Sequence, residues 1–281
     1  MSGGTLPQRA PGPAPLFAEI GVGGRAVRIE SHWIAAGHAD APLLVFLHEG
    51  LGSVAMWRDF PASLCAATGM RGLVYSRPGY GRSTPRARDE RWPVDFMHQH
   101  ARAVLPALLD QLGVHTPVWL FGHSDGGSIA LLFAAALPAR VAGIVVMAPH
   151  IMVEAVSVTS IEAARRAYDT GDLRARLARY HDDPDSAFRG WNDVWLDPAF
   201  RSWSIEAEVA AIACPVLAVQ GHDDVYGTMA QIDGIAQRAP QARLVKLAQA
   251  GHSPHRDQPA LLTEAVVAYL RQHHIRAESD C

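Results

Sequence analysis

Five residues, Gly122-His123-Ser124-Asp125-Gly126, set a hydroxyl between two glycines directly after the apolar run VWLF and just before Gly127 and SIALLFAAAL. A serine on a tight turn from strand to helix is held in a strained conformation that exposes its Oγ. The flanking glycines let strand and helix approach closely. The helix start behind it aims N–H groups and a positive dipole at developing negative charge. In a chain with 24 glycines the Gly-x-Ser-x-Gly pattern can arise by chance. The strand before it and the helix after it make Ser124 the candidate nucleophile, and the Asp125 N–H one donor for an oxyanion.

A serine hydroxyl attacks only when a base takes its proton, and the base needs an orienting acid. Both residue types follow downstream, each after an apolar run. PVLAVQG leads into His222-Asp223-Asp224, and ARLVKL passes through AQA into Gly251-His252-Ser253. Loops at the carboxyl ends of neighbouring parallel strands converge above a sheet. There His252 can reach Ser124 on one side and Asp223 or Asp224 on the other. His123 reads as a packing residue, His222 as part of the acid loop, and His255 as a surface residue where the final helix starts.

The elements that must position these groups follow from the apolar pattern. FAEIGVGGRAVRIESHWI alternates around Gly23-Gly24, as a β-hairpin does. Six short continuous apolar runs follow, at 43–48, 72–76, 118–122, 143–148, 215–221 and 242–247. Each has the length of a strand buried on both faces. Helical patterns lie between them at 54–69, 95–112, 127–137, 228–239 and 258–272. The expected fold class is α/β, a mostly parallel eight-stranded sheet with helices on both faces. From 150 to 208 the alternation stops, and charged, Trp-rich helical sequence takes over. This segment is expected to form a helical cap over the carboxyl ends of the strands, with Trp191, Trp195 and Trp203 facing a substrate pocket and His150 at its rim; Glu154 is a weaker rim candidate. The expected division is a disordered Pro/Gly-rich tail at 1–16, a core at 17–149 and 209–275, the cap at 150–208, and a short tail at 276–281.

At 281 residues, 49% apolar and 19% charged, the chain can bury a sizeable core. A net charge of −3 carries no footprint of nucleic acid or an anionic membrane. No apolar run reaches the roughly 18 residues of a transmembrane helix. The N-terminus lacks the charged start and apolar centre of a signal peptide. Cys65, Cys214 and Cys281 lack metal or disulfide spacing, which fits a reducing cytoplasm. No metal and no cofactor is expected, since GxxxxGK and a GxGxxG in the right context are absent. The expected partner is a small-molecule substrate, and monomer and homodimer both fit.

Over residues 17–275 the chain resembles the α/β-hydrolase superfamily, on LLVFLHEGLGS, SRPGYGRS, FGHSDGG, VQGHDD and AGHSPHRDQP. The resemblance implies a triad of Ser124, Asp224 and His252, with Asp223 as the alternative acid. It also implies Gly50 as the second oxyanion N–H donor, Leu51 being the runner-up, and a packing role for Arg77. The family's usual His-Gly is here His48-Glu49. Dienelactone hydrolases also place a glutamate in this turn. Glu49 either faces the nucleophile, where it would repel anionic groups, or points away, paired with Arg77 or Arg82. The implied activity is hydrolysis of a carboxylic ester of a small, apolar or aromatic molecule through an acyl-enzyme, as in a carboxylesterase. C–C bond hydrolases of aromatic degradation, thioesterases and lactonases share the triad. A non-catalytic ligand-binding member would be expected to lack a triad residue, and none is missing here.

Overall fold

A computed structural model describes residues 16–35, 38 and 40–279. The expected N-terminal tail lies outside these residues except for Leu16, and so does Cys281. Leu16 already belongs to the first strand. That strand, β1 (Leu16–Val22), pairs antiparallel with β2 (Arg25–Ile34). Gly23 and Gly24 both take positive φ, 57° and 77°, which a two-residue hairpin of this hand requires. β3 (Leu43–Leu47) and β4 (Arg71–Tyr75) follow, then β5 (Val118–His123), β6 (Val141–Met147), β7 (Val216–Gly221) and β8 (Arg243–Leu247). The sheet order is β1-β2-β4-β3-β5-β6-β7-β8. β2 meets β4 antiparallel, and every later pairing is parallel.

The helices are α1 (Phe60–Thr68), α2 (Phe96–Gln99), α3 (Leu105–Gln111), α4 (Asp125–Ala136), α5 (Ala155–Thr170), α6 (Leu173–Leu177), α7 (Pro184–Trp195), α8 (Glu206–Ala210), α9 (Ala230–Arg238), α10 (Pro254–Asp257) and α11 (Pro259–Ser279). A π turn, His100–Val104, joins α2 to α3 in one continuous rod. Two apolar layers cover the sheet. Phe60, Leu64, Leu262 and Val266 from α1 and α11 close one face. Leu105, Leu108, Ile129, Leu132 and Ile232 from α3, α4 and α9 close the other.

Three local expectations change. The helical run at 54–69 divides into a 3₁₀ turn, Ala55–Trp57, and α1, because Arg58 takes φ 54° and Pro61 belongs in the first turn of a new helix. The strand at 242–247 is not buried on both faces. It is the sheet edge, and Leu244 and Val245 stay half-buried. The last helix runs past 272, to Ser279.

Between β6 and β7 the chain leaves and returns through one clasp. Met152 and Ser204 form an isolated antiparallel bridge, and Ile205 N–H donates to Ile151 C=O at 2.8 Å. The helices α5, α6 and α7 lie beyond the clasp, and Glu206–Ala210 lies on the core side, against α4 and α9. Tyr168, Phe188, Trp191, Trp195, Phe200 and Trp203 of the segment belong to the same apolar cluster as the sheet face. Among the described residues no helix is long and apolar enough to cross a membrane.

Candidate active site

Ser124 occupies the corner between β5 and α4 with φ 53° and ψ −121°, and its N–H donates to Met147 C=O at 2.9 Å. A β-carbon at Gly126 would run into the Leu47 carbonyl, so this corner requires glycine there. The segment closes on β3 as tightly as backbone allows. α4 begins at Asp125 with Ser124 as its N-cap, so the first N–H groups of that helix have no partner within it.

The structure brings Ser124, His252 and Asp224 together. His252 Nε2 lies 2.9 Å from Ser124 Oγ, and its Nδ1 lies 3.0 and 2.9 Å from the two Asp224 oxygens. A carboxylate can only accept, so Nδ1 carries the proton and Nε2 presents a lone pair to the hydroxyl. Asp224 also accepts from Gln220 Nε2 at 2.7 Å and from Tyr226 N–H at 2.8 Å. Burial pushes its pKa upward, but the hydrogen bond and charge of His252 outweigh this and hold it below the usual carboxylate value. Asp223, the alternative acid, gives its backbone N–H to Ala250 C=O and is not the residue that meets His252.

Several groups around this line were misread or missed. His255 is buried at 6% exposure rather than at the surface, because its ring packs against Trp57, Phe60 and His123. His123 does pack, and its Nε2–H also donates to the His252 carbonyl at 2.6 Å, fixing the loop that carries the base. Gln220 was signalled only by being polar in an otherwise apolar strand. Tyr226, whose ring centre lies 4.8 Å from that of His252, left no signal in the sequence.

The Glu49 carboxylate pairs with neither Arg77 nor Arg82. It lies 3.4 Å from His123 Nδ1 and 3.9 Å from Arg256. Burial opposes its ionisation, but His123 beside it outweighs that and holds its pKa far below the usual range. Arg77, fully buried, instead donates to the Glu49 carbonyl at 2.9 Å and lies 3.6 Å from the Asp125 carboxylate. Trp195 Nε1–H donates to the other Asp125 oxygen at 3.2 Å. This ties the helical segment to the residue after Ser124. Burial raises the Asp125 pKa, and Arg77 opposes that rise.

A cavity of about 110 Å³ opens on Ser124 and His252. Its other walls come from Glu49, Gly50, Leu51, Asp125, His150, Ile161, Trp191, Trp195 and Tyr226. The Trp191 indole lies on Gly50, where a β-carbon would collide with its Nε1. Trp203 does not reach the cavity. It stacks on Phe200 at 5.2 Å and is buried in the apolar cluster that the segment shares with the sheet. Glu154 accepts from Thr228 and Gln231, away from the cavity. His181 holds the segment from the far side: Gly81 N–H donates to its Nδ1 at 2.8 Å, and its Nε2–H donates to Leu51 C=O at 2.9 Å. A larger cavity, about 580 Å³, lies beside the hairpin and contains no residue of the Ser124–His252–Asp224 line. Among the described residues no group of three His, Cys, Asp or Glu side chains is placed to hold a metal ion.

A model of the alpha/beta hydrolase family matches residues 44–265. A Pseudomonas savastanoi pv. phaseolicola protein named for carbamate hydrolysis is 29% identical over 255 residues, covering 83% of this chain and 95% of its own. A carboxylesterase of Bacillus subtilis is 28% identical over 264 residues, covering 86% of this chain and 84% of its own. Among solved structures, a thermophilic esterase of Thermogutta terrifontis superposes with a TM-score of 0.69 at 20% identity, covering 93% of this chain and 99% of its own. At that identity the likeness speaks for the fold.

Proposed function

The chain belongs to the alpha/beta hydrolase family, and on that premise we propose that it is a serine hydrolase cleaving a compact carboxylic ester through an acyl-enzyme. One observation carries the reading: His252 bridges Ser124 Oγ at 2.9 Å and both Asp224 oxygens at 3.0 and 2.9 Å. Ser124 Oγ attacks the ester carbonyl while Nε2 of His252 takes its proton. Asp224 holds the imidazole in the tautomer that accepts there and stabilises the imidazolium that forms. The oxyanion sits against the N–H groups of Asp125 and Gly50. His252 then returns the proton to the leaving alcohol, and a water activated by the same nitrogen releases the acid.

The size of the cavity supports a small substrate. A cavity of 150 Å³ accommodates benzene, so about 110 Å³ scales to only about four or five enclosed heavy atoms. Apolar walls from Ile161, Trp191, Trp195 and Tyr226 favour an uncharged group. The test is reaction with a fluorophosphonate probe, then turnover of p-nitrophenyl esters of rising acyl length beside a carbamate and a vinylogous diketone. Labelling of wild type, no labelling of Ser124→Ala, and a loss of ester turnover of about 10⁴-fold or more in that variant are expected. Ser124→Ala retaining more than a tenth of the activity would sink the assignment.

A further inference from the structure

His150 is a polar ring in the catalytic cavity that the proposed mechanism leaves unused. It follows β6 and is 3% exposed. Its ring meets Trp195 edge-on with centres 4.9 Å apart and lies 5.9 Å from the ring of His252. The backbone beneath it is fixed. His150 N–H donates to Ser128 Oγ at 3.1 Å, and the same hydroxyl donates to His150 C=O at 2.6 Å. The next N–H, of Ile151, is held by Gln231 at 2.7 Å. Rigid elements of the core therefore set where the ring stands.

The ring makes no hydrogen bond with any described residue, and Nδ1 is enclosed without a partner. Burial, helped by the neighbouring His252, pushes its pKa down to about 3, so the ring is neutral and carries one N–H. An orphaned buried N–H is rarer than an under-used acceptor. The proton therefore belongs on Nε2, and the lone pair on the enclosed Nδ1. A neutral donor then lines a cavity that also holds the anionic carboxylate of Glu49. Its position beside His252 decides which part of the substrate it meets. His252 must protonate the leaving oxygen, so a ring whose centre lies 5.9 Å from that of His252 is placed to meet the alcohol portion, whereas the proposed oxyanion lies with the N–H groups of Gly50 and Asp125.

We propose that His150 is a specificity-determining residue, its Nε2–H donating to a second, uncharged oxygen (a hydroxyl or a carbonyl) carried by the alcohol portion of a compact ester. This rests on the serine-hydrolase reading above. A site with such a donor favours the oxygenated alcohol over its hydrocarbon isostere, because the isostere leaves the N–H unpaired.

The test uses two isosteric pairs. 2-Hydroxyethyl acetate against propyl acetate varies the alcohol, and methyl 3-hydroxypropanoate against methyl butanoate varies the acyl group. Wild type should favour the first hydroxylated ester by about tenfold or more in kcat/KM and show no such preference in the second pair. His150→Leu should bring the first ratio close to one, and His150→Gln, which keeps an N–H, should restore part of it. The rate of fluorophosphonate labelling reports whether Ser124 remains competent in each variant. The wild-type ratios test the proposal even where a variant does not fold. A wild-type ratio near one in the first pair, a preference confined to the acyl pair, or a ratio unmoved in His150→Leu overturns the proposal alone. Absence of both labelling and turnover in wild type overturns the hydrolase reading and this proposal with it.

Discussion

In an Asp224→Asn variant one carboxylate oxygen becomes an NH2 group among neighbours that are all donors. Tyr226 N–H faces Oδ1 at 2.8 Å, Gln220 Nε2 faces Oδ2 at 2.7 Å, and His252 Nδ1 lies 3.0 and 2.9 Å from the two. The Tyr226 N–H is backbone and cannot turn away, so the asparagine oxygen stays with it and the new NH2 faces Gln220. Gln220 can respond by flipping its amide, since its Oε1 is buried and unpartnered, but the flip gives up its 3.1 Å bond to Gly227 C=O. His252 must then compete for one oxygen, or move its proton to Nε2 and point it at Ser124, where it can no longer accept. Loss of the correct tautomer should lower kcat/KM by about 10⁴. The disturbed hydrogen bonds should cost about 1–3 kcal/mol of stability at pH 7.

The pH dependence has a definite sign. Although burial opposes it, His252 holds the Asp224 pKa below its unfolded value. A depressed carboxylate stabilises the fold above the unfolded pKa of about 4, and loses that contribution as pH falls through the folded value. The gap in stability between wild type and variant is therefore full at pH 7 and closes below about pH 4. Ester hydrolysis at pH 7 and urea unfolding at both pH values measure the two effects. Asp223→Asn, which leaves the His252 contacts intact, should change activity by no more than about twofold. An Asp224→Asn enzyme with more than a tenth of wild-type activity, or a larger loss at 223 than at 224, refutes the reasoning.

Trp191→Ala and Trp195→Ala should reorder the preference among esters, since both rings bound the cavity. Trp203→Ala should instead cost about 3–5 kcal/mol in denaturant unfolding and keep the wild-type order; a reordering in that variant would show that the ring reaches substrate. Glu49→Gln removes an anion from the cavity rim. Relative to a neutral isostere, an ester carrying a free carboxylate should gain about tenfold or more in kcat/KM, and an unchanged ratio would show that Glu49 does not screen substrates by charge.

What was legible in the sequence was what local chemistry writes down. Ser124 could be read because strand, tight turn and helix are all signalled within about twenty residues around it. The apolar runs likewise announced the parallel sheet. The choice between Asp223 and Asp224 was open to chemistry alone, since both side chains suit the role, and only the family's spacing favoured 224. Contacts between distant segments left no trace. Glu49 meets His123 and Arg256 rather than Arg77, which is closer along the sequence, because β5, paired with β3, ends beside the turn after β3 and the segment after β8 reaches the same turn. His255 looked like a surface residue beside Arg256 and Asp257, yet the face it presents inward is covered by Trp57 and Phe60. Trp203 shares composition with Trp191 but lies at the clasp, where Val153 N–H bonds its carbonyl, and composition does not encode direction.

The imidazole of His181 receives a proton bond from Gly81 and gives one to Leu51, so a single neutral ring rivets the helical segment to two separate loops of the core. Leu51 immediately follows Gly50, whose N–H the proposed oxyanion would use. The roof and the floor of the reaction chamber are therefore one mechanical piece at this point. A change in the roof that shifts residue 181 also shifts the floor. Grafting the segment from another member of the family would have to supply, at this position, a ring that both accepts and donates along opposite directions. A chimera without it would inherit a new ceiling together with a misaligned anion cradle, so activity in such grafts should depend on this one residue more than on the helices around it.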